Sequence, residues 1–285
     1  MINKIILGTV QLGIKYGINN PNSLMLDSEA NNILELALKE GIQVLDTAAD
    51  YGDSEKRIGV FFKGRNRFNI NTKFTRDENV NWKDSLFKSL RYLKINKIDT
   101  IMFHSFESYM KSKGLLSDII NEGKGKLFNR IGVSVYTNDE LKSLTQDDLI
   151  DVVQCPFNML DNESHRADCL INLKQSGKVI HTRSVFLQGL FFIEPDKLPQ
   201  KLLSLAPYCH KLHSLARMNN IQLGHLAIQY VLEKQYIDGI LIGVDTVEQL
   251  KTNIHWIKTT IKSAVFDEID KIFVQETELL NPAKW

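Results

Sequence analysis

Eight times along this chain a short apolar run stops at a polar residue and gives way to a stretch with helical spacing. That alternation constrains the fold more than any single motif, because strand–helix repeats cover both faces of a parallel sheet. The apolar runs cover residues 5–10, 43–46, 68–73, 98–103, 130–134, 151–155, 178–184 and 238–242, with Pro156 reading as the stop of the sixth. Between them, helical periods cover 29–40 (Ile33, Leu34, Ala37 and Leu38 on one face), 54–62 with Ser54 as the cap, 80–93, 115–122, 139–144 and 166–175. An insertion before the eighth run carries two further helical stretches near 212–218 and 223–233, a helix over 247–258 follows that run, and an extra helix is expected over 264–279. With no Pro/Gly/Ser-rich linker, this pattern predicts an α/β fold: one (β/α)8 TIM barrel, with its active site at the C-terminal face of the strands. Residues 1–285 form a single domain in this reading, and a helix and tail from about 264 to 285 lie over the barrel. A doubly wound sheet is the alternative. It would show a G-x-G-x-x-G turn after its first strand, and Gly8-Thr9-Val10-Gln11-Leu12-Gly13 does not have that spacing.

Composition narrows the class of ligand. The net charge of +1 exerts no broad pull on nucleic acid or an anionic membrane, so a charged ligand must be handled locally. Cys155, Cys169 and Cys209 are too widely spaced for a metal site and form no disulfide framework, which fits a reducing compartment. The apolar run at the amino terminus is too short for a signal peptide, and no stretch reaches the roughly 18 apolar residues of a membrane span. The expectation is a cytoplasmic protein, monomeric or weakly homo-oligomeric, that holds no metal and acts on a small molecule.

At the carboxyl ends of the eight runs stand Gly8-Thr9, Asp46 with Tyr51 close behind, Lys73, His104, Ser134, Gln154, Arg183-Ser184 and Gly243. In a closed barrel these converge on one mouth. Asp46, Tyr51, Lys73 and His104 form a proton-transfer set. A tyrosine, with an ordinary pKa of about 10, becomes a useful acid near a cation that favours its phenolate. Lys73 can supply that charge, Asp46 can hold the ammonium, and His104 can orient a carbonyl oxygen. None of the four donates electrons, so carbonyl reduction would need hydride from a cofactor. The plainer readings are a helix N-cap for Asp46 or Thr47, a solvated lysine and a structural histidine, like the six other histidines. Lys73 could instead form a Schiff base, as in a barrel aldolase. One strand-end histidine without paired carboxylates gives no metal triad.

Taken in order, Asp46-Thr47-Ala48-x-x-Tyr51-Gly52, Thr72-Lys73, His104, Gly132-Val133-Ser134 and Gln154 resemble the aldo-keto reductase family, over essentially the whole chain. The resemblance implies a barrel that binds an extended nicotinamide dinucleotide without a Rossmann fold and reduces an aldehyde or ketone to an alcohol. It makes Tyr51 the general acid, Lys73 the cation assisting it, Asp46 the partner of Lys73, and His104 the group orienting the carbonyl. It further implies Gly8 and Thr9 beside the nicotinamide, with Ser134 and Gln154 on its carboxamide; Val135 stands where many members have an asparagine. Arg183 takes the position of an aromatic residue that often stacks on the ring, and Ser184 to Gly189 match the pyrophosphate loop. Gly243, Asp245, Gln249 and Asn253 fall in the segment for the adenosine end. Family habit favours NADP(H), whereas Asp245 and Gln249, with Lys251 the sole cation of that segment, suit NAD(H); the expectation is NADP(H), with NAD(H) the alternative.

The opening Leu7-Gly8-Thr9-Val10-Gln11-Leu12-Gly13-x-x-Tyr16-Gly17 is similar to a bacterial subgroup associated with surface-sugar biosynthesis, which suggests a keto- or aldehydo-sugar substrate. The substrate rim is expected from 74–82, 104–113, 157–161 and the tail, with Phe74, Trp82 and Phe106 as an apolar wall and Trp285 packed at the mouth. A regulatory or scaffold protein of the same fold, holding the cofactor without fast turnover, is the remaining alternative.

Overall fold

The computed structural model describes residues 1–18 and 24–285 of the 285-residue chain. Among the described residues, parallel strands β1 to β8 close into a barrel in sequence order, each hydrogen-bonded to the next and β8 to β1. The strands are β1 (Ile5–Gly8), β2 (Val44–Asp46), β3 (Asn69–Lys73), β4 (Ile98–Phe103), β5 (Phe128–Ser134), β6 (Val152–Pro156), β7 (Val179–Arg183) and β8 (Gly239–Gly243). The helices are α1 (Val10–Gly13), α2 (Asp27–Lys39), α3 (Ser54–Phe62), α4 (Trp82–Leu93), α5 (Phe106–Ser112), α6 (Leu116–Gly123), α7 (Asn138–Thr145), α8 (Glu163–Gln175), α9 (Ala206–Met218), α10 (Leu223–Glu233), α11 (Val247–Lys258) and α12 (Ala264–Asp270). This is the (β/α)8 barrel that the alternation predicts.

Burial explains why such short strands suffice. Ile5, Leu7, Leu45, Ile70, Ile101, Ile131, Val153, Ile180 and Ile240 are all buried where barrel and helix layer meet. Each such side chain contributes about 1.5–3 kcal/mol relative to an exposed one. The register sets the mouth: Gly8 pairs with Asp46 on one side and with Gly243 on the other, and Ser134 pairs with Gln154.

Several local expectations change. The first strand ends at Gly8, because Val10 already begins a four-residue helix. Ser54 is the first residue of α3 but not its cap; its buried hydroxyl donates to Thr9 O (2.9 Å) and ties the helix to the end of β1. Pro156 does not cut β6 short but closes it, since the N–H that bonds Arg183 O (3.1 Å) belongs to Phe157. The segment 106–112, read only as rim, is helical: the Ser105 hydroxyl accepts from Ser108 N–H (3.1 Å) in a capping box.

The last helix stops at Asp270 rather than near 279, and Thr277–Leu280 is a separate 3-10 turn. Asn162, at the start of α8, donates its amide to the carbonyls of Ile269 (2.8 Å) and Ile272 (2.7 Å). Ile269 O also accepts a turn bond from Ile272 N–H (2.9 Å) in place of a further α-helical one, and Ile272 and Val274 are buried just beyond the helix end. Trp285 Nε1 donates to Leu279 O (2.9 Å), so the terminal indole folds back on its own turn. Among the described residues no helix is long and apolar enough to cross a membrane.

Candidate active site

Asp46 and Lys73 are the last residues of neighbouring strands, which places both side chains at the mouth. Lys73 Nζ pairs with Asp46 Oδ1 and donates to Thr47 O at 3.1 Å. From across the barrel, Gln154 Nε2 donates to the other oxygen, Asp46 Oδ2, at 2.8 Å. Lys73 and Asp46 are each only 2% exposed. Burial alone would drive Lys73 towards its neutral form, but the Asp46 carboxylate outweighs it and raises the lysine above its ordinary value. The ammonium is therefore a fixed charge. Asp46 holds a lysine, and the reading of it as a helix cap falls.

Tyr51 lies against this pair. Lys73 Nζ sits 5.3 Å from the centre of the Tyr51 ring, and the His104 ring meets it edge-on at 5.7 Å and 77°. The loop carrying Tyr51 is locked by two glycines. A Cβ on Gly13 would lie 1.7 Å from Tyr51 O, and one on Gly52, whose φ is +55°, would lie 2.4 Å from Gly13 O. No side chain fits at either point, so α1 and the Tyr51 loop interlock backbone to backbone.

His104 has a partner that sequence reasoning passed over. Its buried Nδ1 lies 3.4 Å from Asp50 Oδ2, an ion-pair distance without good hydrogen-bond alignment. Asp50 is itself anchored by Thr75 Oγ1 (2.7 Å) and by Arg76 N (3.0 Å) and Nε (3.1 Å). Burial opposes its charge, but the bonds from Thr75 and Arg76, with His104 close by, prevail and hold its carboxyl below the usual range. Burial, together with the Lys73 and Arg76 cations, lowers His104 despite Asp50. The sequence signal was present in Asp50 itself, a carboxylate beside Tyr51 in the same loop.

A cavity of about 500 Å³ runs from Asp46 and Tyr51, past the ends of β1, β7 and β8, to Trp256 on α11. It is lined by ten of the eleven residues expected for the cofactor: Gly8, Thr9, Gln154, Arg183, Ser184, Gly189, Gly243, Asp245, Gln249 and Asn253. Ser134 does not line it; Arg183 lies over that strand end, with Nη2 donating to Val135 O (3.1 Å) and the guanidinium 4.1 Å from the Tyr136 ring centre. Lys73 and His104 do not line it either. Lining residues outside the expected cofactor set include Gln11, Tyr16, Phe192 and Trp256. Gln188 Nε2 donates to Tyr16 OH (3.1 Å), bridging the cavity between loops 172 residues apart, and no local pattern foretells such a contact. Phe74 is no substrate wall: it is buried on Phe103, ring centres 5.3 Å apart, because it continues the helix-facing side of β3 that Thr72 shares through its bond to Glu55 on α3. Trp285 does not line the cavity.

The sequence profile of the Aldo/keto reductase family matches residues 4–273. The chain belongs to the aldo/keto reductase family. As a member it is an oxidoreductase of carbonyl groups, and nicotinamide cofactors are general to such enzymes. It is 24% identical to a D-threo-aldose 1-dehydrogenase from a Pseudomonas species, over 89% of this chain and 92% of the relative. It is 25% identical to a D-arabinose 1-dehydrogenase of Saccharomyces cerevisiae, over 88% and 81%. In fold it is similar to the aldo-keto reductase AKR11C1 from Bacillus halodurans in its holo form, with TM-score 0.73 and 20% identity over 96% and 94% of the two chains. A barrel aldolase is not favoured, because a Schiff base needs a neutral lysine open to substrate and Lys73 is buried and charged.

Proposed function

We propose that this aldo/keto reductase interconverts an aldose-type carbonyl and its alcohol, with NAD(H) the better bound cofactor. The observation that carries the reading is the buried Asp46–Lys73 pair beneath Tyr51, at one end of a cavity long enough for a dinucleotide.

The cavity's own residues fit such a cofactor. Gln11 Oε1 is buried without a partner and packs on Gly243, where a Cβ would come within 2.6 Å of the Gln11 amide; the bare backbone and free acceptor suit a polar ligand. Gly8, Thr9 and Gln154 would hold the nicotinamide end, Ser184 and Gly189 the pyrophosphate, and Gly243, Asp245, Gln249 and Asn253 the adenosine, with Phe192 and Trp256 offering apolar faces to the base. When bound, the dinucleotide supplies or takes the hydride that no side chain here can.

The protein's share is proton handling and orientation. Tyr51 gives its hydroxyl proton to the substrate oxygen in reduction, and the Lys73 charge favours the phenolic oxygen left behind. Asp46 keeps that charge in place, and Gln154 keeps Asp46 in place. His104, edge-on to the Tyr51 ring, would orient the same substrate oxygen.

Family habit favours NADPH, but the adenosine end speaks for NADH. It is lined by Asp245 and Glu248, whereas Lys251 is tied to Glu248 (2.6 Å) and does not reach the lining. Among the described residues the one cation lining the cavity is Arg183, at the opposite end. A 2′-phosphate would meet acid, not base. The names of the two sugar-dehydrogenase relatives support an aldose-type substrate.

Fluorescence titration with NADH and NADPH, followed by turnover assays on free aldoses and simple aldehydes, tests this reading. Tight NADH binding with aldose turnover is expected. Binding of neither dinucleotide would sink it.

A further inference from the structure

The cations standing around the mouth of the barrel are matched by carboxylates, with one exception. Lys73 pairs with Asp46, Arg76 with Asp50 (3.1 Å) and Arg166 with Asp161 (2.6 Å). Arg183, at the end of β7, has no acid partner among the described residues. Its Nη2 donates to Val135 O (3.1 Å), and the guanidinium lies 4.1 Å from the Tyr136 ring centre. It is half-buried and, among the described residues, the one cation lining the cavity. We propose that Arg183 makes the site select the reduced dinucleotide: its unmatched charge repels the cationic ring of NAD+ and tolerates the neutral ring of NADH. The proposal rests on the function argued above and deepens it by assigning the form of cofactor that the enzyme holds, and hence carbonyl reduction as its favoured direction.

Arginine makes that charge permanent. A guanidinium is not deprotonated in a protein, so it has no neutral form to retreat into. The bond to Val135 O and the Tyr136 face hold it towards the end of β5, and its own strand end pairs with that of β6 at Pro156. Asp46, Tyr51 and Gln154 line the cavity at this end, where the proposed function seats the nicotinamide. The charge of Arg183 reaches the same groups. With burial it opposes the Asp46 effect that raises Lys73, and it offsets part of the rise that burial imposes on Tyr16.

The two forms of the cofactor differ in charge at the ring alone. Oxidised nicotinamide is a cation and the reduced ring is neutral, whereas pyrophosphate, riboses and adenine are common to both. A fixed positive charge beside the ring therefore costs NAD+ what it does not cost NADH, and specificity is that difference. Lys73 does not repeat the effect, because Asp46 matches its charge at contact. In open water the repulsion would be screened; in a half-buried site it persists. The enzyme leaves the overall equilibrium unchanged, but it loads NADH and sheds NAD+ once the carbonyl carbon has the hydride and its oxygen the Tyr51 proton. Pyrophosphate is the rival partner for the guanidinium, and it would affect both forms equally.

Calorimetric titration of the whole chain with NADH, NAD+ and ADP-ribose tests this, because ADP-ribose carries the pyrophosphate without the ring. The wild type should bind NADH at least about tenfold more tightly than NAD+. Arg183→Gln should bring the two within about twofold by strengthening NAD+ alone, with ADP-ribose unmoved. Arg183→Lys keeps the charge and should keep most of the preference. Should the glutamine variant not fold, Arg183→Met reads the same ratio. A wild-type ratio near one overturns the proposal, and so does a preference that survives loss of the charge. Equal weakening of NADH, NAD+ and ADP-ribose would make Arg183 a pyrophosphate anchor and overturn it too. If the 2′-phosphorylated pair binds better, NADPH over NADP+ should show the same ratio, since the ring carries the difference. A wild type that binds no dinucleotide defeats the proposed function and this inference with it, whereas binding without preference for the reduced form defeats this inference alone.

Discussion

The two ends of the cavity are built on opposite electrostatic plans. At the Tyr51 end, Lys73 is buried against Asp46 and Thr47 O, with Gln154 on the other oxygen of Asp46, so its charge is matched and fixed. At the adenosine end, the lining carries half-buried Asp245, whose carboxyl pKa burial raises, and exposed Glu248, which the local cation Lys251 pairs from outside the lining. A buried charge must be matched group by group, because removing one partner leaves the other stranded in a poor solvent. An exposed charge is screened and can drift in sequence at little cost. The first end therefore fixes the chemistry and the second tunes the cofactor.

The comparison can be broken hardest at Lys73. Lys73→Met leaves Asp46 buried and uncompensated, which should cost about 3–5 kcal/mol of stability as well as turnover; chemical denaturation measures the first. A stability loss below about 1 kcal/mol would mean that the pair is not a buried, mutually dependent unit. Tyr51→Phe removes one hydroxyl and no charge. It should lower reduction by about 10²- to 10⁴-fold while dinucleotide affinity and melting temperature hold, and unchanged turnover would show that another group is the acid.

A smaller effect belongs to His181, buried on β7 and lowered by that burial to about 4. Its folded pKa lies below the ordinary 6.5, so the unfolded chain binds the proton first as pH falls. The stabilising contribution is complete above about pH 6.5 and is lost between there and pH 4. Between pH 7 and 5 this should cost about 2 kcal/mol, and His181→Gln should flatten that slope in denaturation curves; an unaltered slope would place the acid sensitivity elsewhere. The mildest change is at the open end. Asp245→Arg should shift the ratio of NADPH to NADH affinity by about tenfold towards NADPH, with aldehyde turnover at saturating cofactor retained. A constant ratio would show that Asp245 does not face the adenosine ribose.

Much of the buried end was legible in the chain. Asp46, Tyr51, Lys73 and His104 all stand at strand ends or just past them, and strand ends can be read from hydrophobic runs. The rest was hidden for physical reasons. Asp50 reads as one polar loop residue until Thr75, Arg76 and His104, brought by β3 and β4, surround it. The Tyr16–Gln188 bridge and the lining faces of Phe192 and Trp256 depend on loops that meet only when the barrel closes. Helix ends were misread for a similar reason: the stop at Asp270 is imposed by Asn162, more than a hundred residues away, capturing two backbone carbonyls.

The sequence by itself determined the barrel, its direction and the membership of the proton-transfer set, because hydrophobic period and strand-end chemistry are local. Tertiary structure alone decided which charges are matched: that Asp46 serves Lys73 and Gln154, that Asp50 lies beside His104, that Arg183 lies over the end of β5, and that Lys251 pairs with Glu248 rather than lining the cavity itself. Charge pairing depends on distance and burial, and the closed barrel brings together groups that lie far apart along the chain.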